Sequence, residues 1–299
     1  MGPAGTFTHQ AARDLSPPDV ELVAEPNAEA VIAGVADGTY TSGVVPFENS
    51  SEGEVGPTLD SLAARGGSPV ISGERVLTVT LTLYRLPGDK TPLASVASHP
   101  FALAQCSRYL RARNVEDVPH ASTAAACEAL AKERTVGRGA IGAPGAGEVY
   151  GLEAVERELE NERGVVTRFV QLAAKCEEET LRDRSAFVIR PKADQPGGLV
   201  RILQQFSLRS INLTAITSRP ARDRLGNYWF YIECEGHIAS ASIKDAVTSV
   251  LLDGGDITFL GSFPEDPSRP AAPTSNDAAT AYRRYNAMRS AVVGHGESG

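Results

Sequence analysis

The alternation of apolar and polar residues divides roughly the first 175 residues into two series of strands and helices. In the first series it predicts helices over 7–15, 28–36 and 55–64, strands at 20–24 and 43–46, and a polar loop over 47–53. In the second series it predicts strands at 93–97 and 139–141 and helices over 100–111, 123–132 and 143–150. Strands and helices that alternate in this way predict an α/β layer with parallel strand pairing.

Two longer apolar stretches cross between these series. Residues 70–83 alternate apolar residues with threonine or other polar residues, most regularly over 77–83, which is typical of a long half-buried strand. Residues 165–173 read VVTRFVQLA, an apolar run interrupted by Thr167 and Arg168. Neighbouring side chains of a strand point to opposite faces, so one of this pair must face a cleft or find a buried partner. The pattern predicts two lobes around a cleft, lobe one at about 1–75 and 152–175 and lobe two at about 76–151.

A different order of elements begins near residue 184. The apolar pattern predicts strand, helix, strand, strand, helix and strand between residues 185 and 260. This βαββαβ order is that of a ferredoxin-like domain, which we place at residues 184–263. Residues 264–299 are rich in proline, serine, alanine and glycine, and they are predicted to form a flexible tail with at most one helix, around 278–292.

Composition argues against several classes of function. The net charge of −8 argues against nucleic acid as a partner, because phosphate binding needs a basic surface. No apolar run reaches the roughly 18 residues of a membrane span, so no membrane partner is expected. The four cysteines form no C-x-x-C pair and the five histidines have no metal-ligand spacing, which predicts a cytoplasmic protein with reduced cysteines and no metal.

Four short segments place hydroxyl or amide groups where predicted strands end and helices begin. They are residues 2–7 (GPAGTF), 46–51 (PFENSS), 98–100 (SHP) and 121–124 (ASTA). Helix N-termini attract anions through their unpaired N–H groups and dipole, so several of them around one cleft would suit a small dianion. Taken singly, each segment is more often an ordinary turn or helix cap, and Arg168 is as readily explained by a structural ion pair as by catalysis.

In combination these segments resemble the motifs of prephenate dehydratases. The matches occur in order as GPAGTF at 2–7, GVVPFENSSEGEV at 43–55, SHPFALAQC at 98–106, STAAA at 122–126 and TRF at 167–169. PGGLV at 196–200 and TSRP at 217–220 are similar to the effector motifs of an ACT regulatory domain. The resemblance implies a two-lobed, periplasmic-binding-protein-like catalytic domain over residues 1–175, followed by the ACT domain.

The resemblance also implies an activity and a set of site residues. Prephenate would lose water and carbon dioxide to give phenylpyruvate, on the way to phenylalanine, with no cofactor. Thr167 would donate a proton to the departing hydroxyl, Arg168 would hold a carboxylate or brace the cleft, and Glu48 would complete the catalytic set. The residues implied to bind the substrate are Thr6, Asn49, Ser50, Ser122, Thr123 and Phe169.

The ACT resemblance implies that L-phenylalanine inhibits the enzyme by binding between paired ACT domains of a homodimer or homotetramer. The residues implied to bind it are Gly197, Gly198, Leu199, Val200, Asn212, Leu213, Thr217, Ser218, Arg219 and Pro220. Four positions depart from the family pattern, with Val165 in place of asparagine, Phe101 in place of glutamine, Gly198 in place of alanine and Thr217 in place of glutamate. An arogenate dehydratase and a two-lobed small-molecule sensor without turnover are alternatives that the residues leave open.

Overall fold

The computed structural model describes residues 2–192, 196–221 and 228–269. Its helices are α1 Phe7–Leu15, α2 Ala28–Ala36, α3 Gly56–Ala64, α4 Pro100–Gln105, α5 Ser107–Arg113, α6 Thr123–Glu133, α7 Ala146–Tyr150, α8 Gly198–Ser207 and α9 Ala241–Leu252. Its strands are β1 Ser42–Asn49, β2 Gly53–Glu54, β3 Val70–Thr78, β4 Thr82–Arg85, β5 Ser95–Ser98, β6 Glu116–Pro119, β7 Arg138–Gly142, β8 Glu153–Glu156, β9 Val166–Ala173, β10 Asp183–Arg190, β11 Leu213–Pro220, β12 Tyr228–Glu235 and β13 Asp256–Pro264. Residues Met1–Ser268 form one compact unit that contains three sheets.

The sheet of lobe one is antiparallel, in the order β2-β1-β9-β3. Helix α1 covers one face, and α2 and α3 cover the other. The predicted parallel pairing is wrong for this sheet, because β9 returns from lobe two in the opposite direction and inserts between β1 and β3. Two element predictions also fail here. Residues 20–24 form no strand, and the predicted loop over 47–53 is strand as far as Asn49, since a bulge between Pro46 and Glu48 keeps β1 paired with β9.

The sheet of lobe two has the order β6-β5-β7-β4-β8. Parallel pairing is confirmed for β5 with β6 and with β7, whereas β4 pairs antiparallel with β7 and β8. The predicted single strand at 70–83 is wrong: it divides into β3 and β4, which belong to different sheets. Between them, the Val79 N–H donates to the Val165 carbonyl at 2.7 Å, so the two chain segments that join the lobes run side by side. The predicted helix over 100–111 is likewise interrupted, at Cys106.

The third sheet confirms the predicted ferredoxin-like order. Its strands follow the order β11-β12-β10-β13, all antiparallel, and α8 and α9 pack on one face around Phe187, Phe206 and Ile243. Its other face shares a core with lobe one, where Val188, Tyr231 and Leu260 pack with Val170 and Leu172 of β9. The third sheet is therefore packed directly against the sheet that carries the TRF motif.

The backbones of the first and third sheets meet at Gly261. This residue has φ of +141°, and a Cβ atom added there would overlap the backbone oxygen of Ile71 in β3. The predicted start of the tail at residue 264 is too early, because Glu265 and Asp266 still belong to this packed joint. The Asp266 carboxylate is buried and accepts a hydrogen bond from the Val76 N–H at 2.7 Å. Residues 270–299, including the helix predicted around 278–292, lie outside the described residues.

Three of the cysteines are core residues of the described chain. Burial is the main reason that the pKa values of Cys106, Cys127 and Cys234 are raised to about 12, so these thiols stay protonated near neutral pH. Cys176 is half-buried, and its sulfur accepts a hydrogen bond from the Ser262 N–H. No helix within the described ranges is long and apolar enough to cross a membrane.

Candidate active site

Thr167 and Asn49 face each other across the β1–β9 pair. The Asn49 Nδ2 donates to Thr167 Oγ1 at 2.9 Å. The Asn49 Oδ1 accepts from the Ser51 N–H at 2.9 Å and is 2.7 Å from Ser51 Oγ. Since a backbone N–H can only donate, these contacts fix which amide atom is the oxygen and therefore direct the NH₂ group toward Thr167. The Thr167 oxygen thus accepts from Asn49, which leaves its proton available for a bound molecule.

Ser50 holds the start of β9 beside this pair. The Ser50 N–H donates to the Val166 carbonyl at 2.9 Å, and Ser50 Oγ accepts from the Val166 N–H at 3.0 Å. Because Ser50 Oγ accepts in this bond, its hydroxyl proton is also free to be donated. The structure therefore brings together three of the predicted residues, Thr167, Asn49 and Ser50.

Arg168 points to the opposite face of β9 and is 4% exposed. Its Nε is 2.6 Å from Glu74 Oε2, its Nη2 is 2.6 Å from Glu233 Oε2, and its Nη1 is 3.4 Å from Glu48 Oε2. Burial opposes the charge of the guanidinium, but Glu233 and Glu74 outweigh this and raise the pKa of Arg168 well above its usual value. This geometry favours the bracing role of Arg168 over contact with a substrate carboxylate, and it places Glu48 with Arg168 rather than with Thr167.

Phe169 returns to the face of Thr167 but is 2% exposed. Its ring packs in a core with Ala11, Val44 and Leu77. In this position it supports β9 from the interior, so the geometry does not support its predicted contact with the substrate.

The hydroxyl of Thr6 is already engaged within the N-terminal turn. Thr6 Oγ1 accepts from the His9 N–H at 3.1 Å as the N-cap of α1, and it donates to the Pro3 carbonyl at 3.1 Å. The same turn touches lobe two, because Tyr150 Oη donates to the Ala4 carbonyl at 2.7 Å. The turn therefore joins the two lobes, and a substrate would meet its backbone more readily than the Thr6 hydroxyl.

Ser122 and Thr123 lie at the edge of lobe two where the parallel strands β5, β6 and β7 end. Ser122 Oγ accepts from the Ala125 N–H at 2.9 Å and caps α6, and Thr123 is the first residue of that helix. Helices α4 and α7 also begin at this edge, directly after β5 and β7. The N-terminus of α7 packs on the N-terminal turn, since a Cβ atom on Gly5 would lie 3.3 Å from the Ala146 Cα.

Comparison with known proteins decides the family. A family model described as "Prephenate dehydratase" matches residues 1–177. The chain belongs to the prephenate dehydratase family. The prephenate dehydratase of Mycolicibacterium smegmatis is 36% identical over 298 residues, which cover 94% of each chain. That of Amycolatopsis methanolica is 36% identical over 271 residues, which cover 88% of this chain and 86% of its own. The structure of the Arthrobacter aurescens prephenate dehydratase in complex with L-Phe has a TM-score of 0.79 at 30% identity, covering 98% of both chains.

In this prephenate dehydratase family member, the TSRP segment lies against lobe one. Arg219 donates from Nε and Nη2 to the two oxygens of Asp60 in α3, both at 2.7 Å, and the Thr217 hydroxyl donates to Glu54 in β2. Ser218 and Pro220, the alternate residues of β11, are exposed. The predicted effector strand is thus in direct contact with the sheet that carries Thr167.

The other predicted effector residues surround the start of α8 and the start of β11. Gly197 precedes α8 in the left-handed region, with φ of +79°, and Gly198, Leu199 and Val200 form the first turn of that helix. Asn212 precedes β11, and its side chain donates to Glu235 at 2.9 Å. Leu213 is the first residue of β11 and packs partly against the core of the ferredoxin-like domain.

Sequence reasoning missed three residues that shape this family member's site. Ser51 orients Asn49, while Glu74 and Glu233 bind Arg168. Glu74 and Glu233 each sit inside an apolar strand segment, VISGERVL and WFYIECE. A carboxylate at an inward-facing strand position requires a buried partner, so this pattern could have indicated them.

We expect Asn49→Asp to lower kcat for prephenate by about 100-fold, the scale on which one aimed hydrogen-bond donor acts. The carboxylate would accept the Thr167 proton and would no longer donate to its oxygen. Steady-state kinetics on purified protein measure the change. Asn27→Asp is the matched control, because Asn27 caps α2 through its Oδ1 and aspartate caps equally well. Equal kcat in the two variants would contradict the role of Asn49.

Proposed function

We propose that the protein is a prephenate dehydratase that converts prephenate to phenylpyruvate, carbon dioxide and water in the formation of phenylalanine. The observation that carries this proposal is the Asn49–Thr167 hydrogen bond, which presents a hydroxyl proton beside the junction of the lobes. The Thr167 proton passes to the ring hydroxyl, which leaves as water. The ring carboxylate leaves as carbon dioxide, and the electrons of its C–C bond complete the aromatic ring.

The reaction needs little more than one oriented proton donor, because aromatisation supplies the driving force. As Thr167 gives up its proton, negative charge develops on its oxygen. The hydrogen bond from Asn49 stabilises this charge and so favours proton donation. The Thr167 hydroxyl is reprotonated from water after the product leaves. No cofactor takes part in this scheme.

We place the two substrate carboxylates at hydroxyl and backbone N–H donors from both lobes. Ser50 has a free hydroxyl proton in lobe one, and Ser122 has one at the N-terminus of α6 in lobe two. Thr123 and the backbone of the N-terminal turn at Thr6 extend this set. Helix N-termini favour anions, which is how a protein with a net charge of −8 would bind a dianion.

We further propose that L-phenylalanine is the feedback inhibitor and that the ferredoxin-like domain acts as an ACT domain. The L-Phe complex of the Arthrobacter aurescens relative supports this. The effector would bind near 197–200 and 217–220 where two ACT domains pair, in a homodimer or homotetramer. Exposed apolar side chains support such pairing: Val200 on α8 is 65% exposed and Ile216 on the strand β11 is 46% exposed. The enzyme would act in the cytoplasm, where its four free cysteines stay reduced.

Turnover of prephenate and arogenate, measured side by side with and without L-phenylalanine, tests this function. We expect phenylpyruvate formation from prephenate, slower turnover of arogenate, and inhibition by L-phenylalanine. Faster turnover of arogenate would make the protein an arogenate dehydratase. If neither substrate reacts while prephenate binds, the enzyme proposal fails and a sensor remains. Full activity at saturating L-phenylalanine would refute the feedback proposal alone.

A further inference from the structure

A buried cluster of acidic and basic side chains joins β9 to the ferredoxin-like domain. Arg168 lies at its centre, with Glu74 of β3 on one side and Glu233 of β12 on the other, each 2.6 Å away. The side chains of both glutamates are 0% exposed. The rings of Phe47 and Phe263 flank the guanidinium, with centroids 5.2 Å and 5.6 Å from its central carbon. Arg168 is thus buried and held by two different sheets.

Glu233 is itself fixed by four donors. Its Oε2 accepts from Arg168 Nη2 at 2.6 Å and from the Tyr231 hydroxyl at 2.7 Å. Its Oε1 accepts from Arg184 Nη1 at 3.0 Å and from the Thr214 hydroxyl at 3.1 Å. A carboxylate bound by four donors has one orientation, so it defines the position of the Arg168 side chain rather than following it.

One peptide bond joins Arg168 to Thr167, which carries the catalytic hydroxyl, so the placement of the Arg168 side chain also constrains Thr167. Thr167 is its neighbour on β9 and faces the opposite side of the sheet, where Asn49 binds it. A shift or twist of β9 that follows the Arg168 side chain would move Thr167 Oγ1 relative to Asn49 and to the substrate. A misplacement of about 1 Å at a reacting group can lower the rate by about 100-fold.

We propose that Glu233 is a positioning residue for the dehydration step: by fixing Arg168 it sets the place of β9, and with it the Thr167 hydroxyl. This inference rests on the proposed prephenate dehydratase function and deepens it. If Glu233 has this role, the ferredoxin-like domain helps to set the geometry of the active site even when no effector is bound.

A second ion pair between the same parts of the chain provides the matched control. Arg219 of β11 binds Asp60 of α3 through two hydrogen bonds of 2.7 Å. This pair also connects the ferredoxin-like domain to lobe one, but its two hydrogen bonds involve no residue of β9. If the role of Glu233 were only to hold the two parts together, loss of either pair would have the same kind of effect on activity.

The test compares Glu233→Gln, Asp60→Asn and the wild-type full-length protein without L-phenylalanine. We expect Glu233→Gln to lower kcat about 10-fold or more with KM for prephenate within about twofold, the pattern of a lost transition-state interaction. Asp60→Asn should keep kcat within about twofold. Urea unfolding of each protein establishes that it is folded under the assay conditions.

Tyr231→Phe keeps the inference testable if Glu233→Gln does not fold. It removes one hydroxyl group from Glu233 and leaves every charge in place, so we expect kcat to fall about threefold with KM unchanged. Folded Glu233→Gln with wild-type kcat, unchanged kcat in Tyr231→Phe, or an equal loss in Asp60→Asn would each overturn the role of Glu233. Inactive wild-type protein would instead overturn the proposed function.

Discussion

Replacing Thr167 with alanine should lower kcat for prephenate by about 100-fold to 10,000-fold, the range over which a positioned proton donor acts. The variant retains Asn49, Ser50 and the helix N-termini of lobe two, so prephenate should still bind with an affinity close to that of the wild type. Because Thr167 is half-buried at the start of β9 and, among the described residues, its hydroxyl has Asn49 as its one protein partner, alanine should leave the fold intact. Phenylpyruvate formation and equilibrium binding of prephenate measure the two effects separately.

Thr167→Ser is the control for this experiment. Serine keeps the hydroxyl that Asn49 orients, so this variant should retain activity within about 10-fold of the wild type. Wild-type turnover in Thr167→Ala would remove Thr167 from the mechanism. Loss of prephenate binding in that variant would instead assign the residue to substrate binding.

Replacing Arg168 with methionine should lower the free energy of unfolding by about 3–5 kcal/mol, the usual cost of removing one partner from a buried ion pair. Glu74 and Glu233 would each lose a cation that lies 2.6 Å away, while Arg184 still binds Glu233 and the Asp266 N–H still binds Glu74. Methionine fills much of the same volume, so the loss reports on charge rather than on a cavity. Urea unfolding followed by circular dichroism measures it.

Arg138→Met gives the comparison for an exposed pair. The side chains of Arg138 and Glu133 are 51% and 54% exposed, and such pairs contribute about 0–1 kcal/mol. A similar small change in Arg168→Met would show that the buried cluster is not needed for stability. A loss in Arg138→Met as large as that expected for Arg168→Met would show that the assay does not separate the two environments.

The apolar pattern of 165–173 predicted that one of its two polar residues would face a cleft or find a buried partner. The buried partner is confirmed for Arg168, and Thr167 lies on the opposite face of β9. The identity of the partner was not predictable from local pattern, because Glu233 lies 65 residues further along the chain and reaches Arg168 only when two sheets pack together.

Other predictions failed where one pattern fits two structures. Residues 77–83 alternate apolar residues with threonine, so the change of sheet at Val79 leaves no mark in hydropathy. The predicted half-buried character is wrong as well, since most residues of β3 and β4 are buried. Glu48 and Asn49 resemble loop residues in composition, yet pairing with β9 keeps them extended. The motif resemblance identified the family, whereas the contacts of Arg168, Thr6 and Phe169 required the packed structure.

The two faces of β9 also determine where the chain tolerates a change of length. Thr167 and Arg168 are adjacent, and side chains alternate along a strand with a period of two. Insertion or deletion of a single residue within β9 would therefore exchange the two faces, turning a cation toward the substrate and a hydroxyl toward Glu74 and Glu233. The segment between Ala173 and Asp183 contains no strand or helix, and irregular connections tolerate changes of length better than strands do. In this protein the spacing inside one strand is fixed by chemistry, while the connection that follows it has no strand register that a change of length would shift.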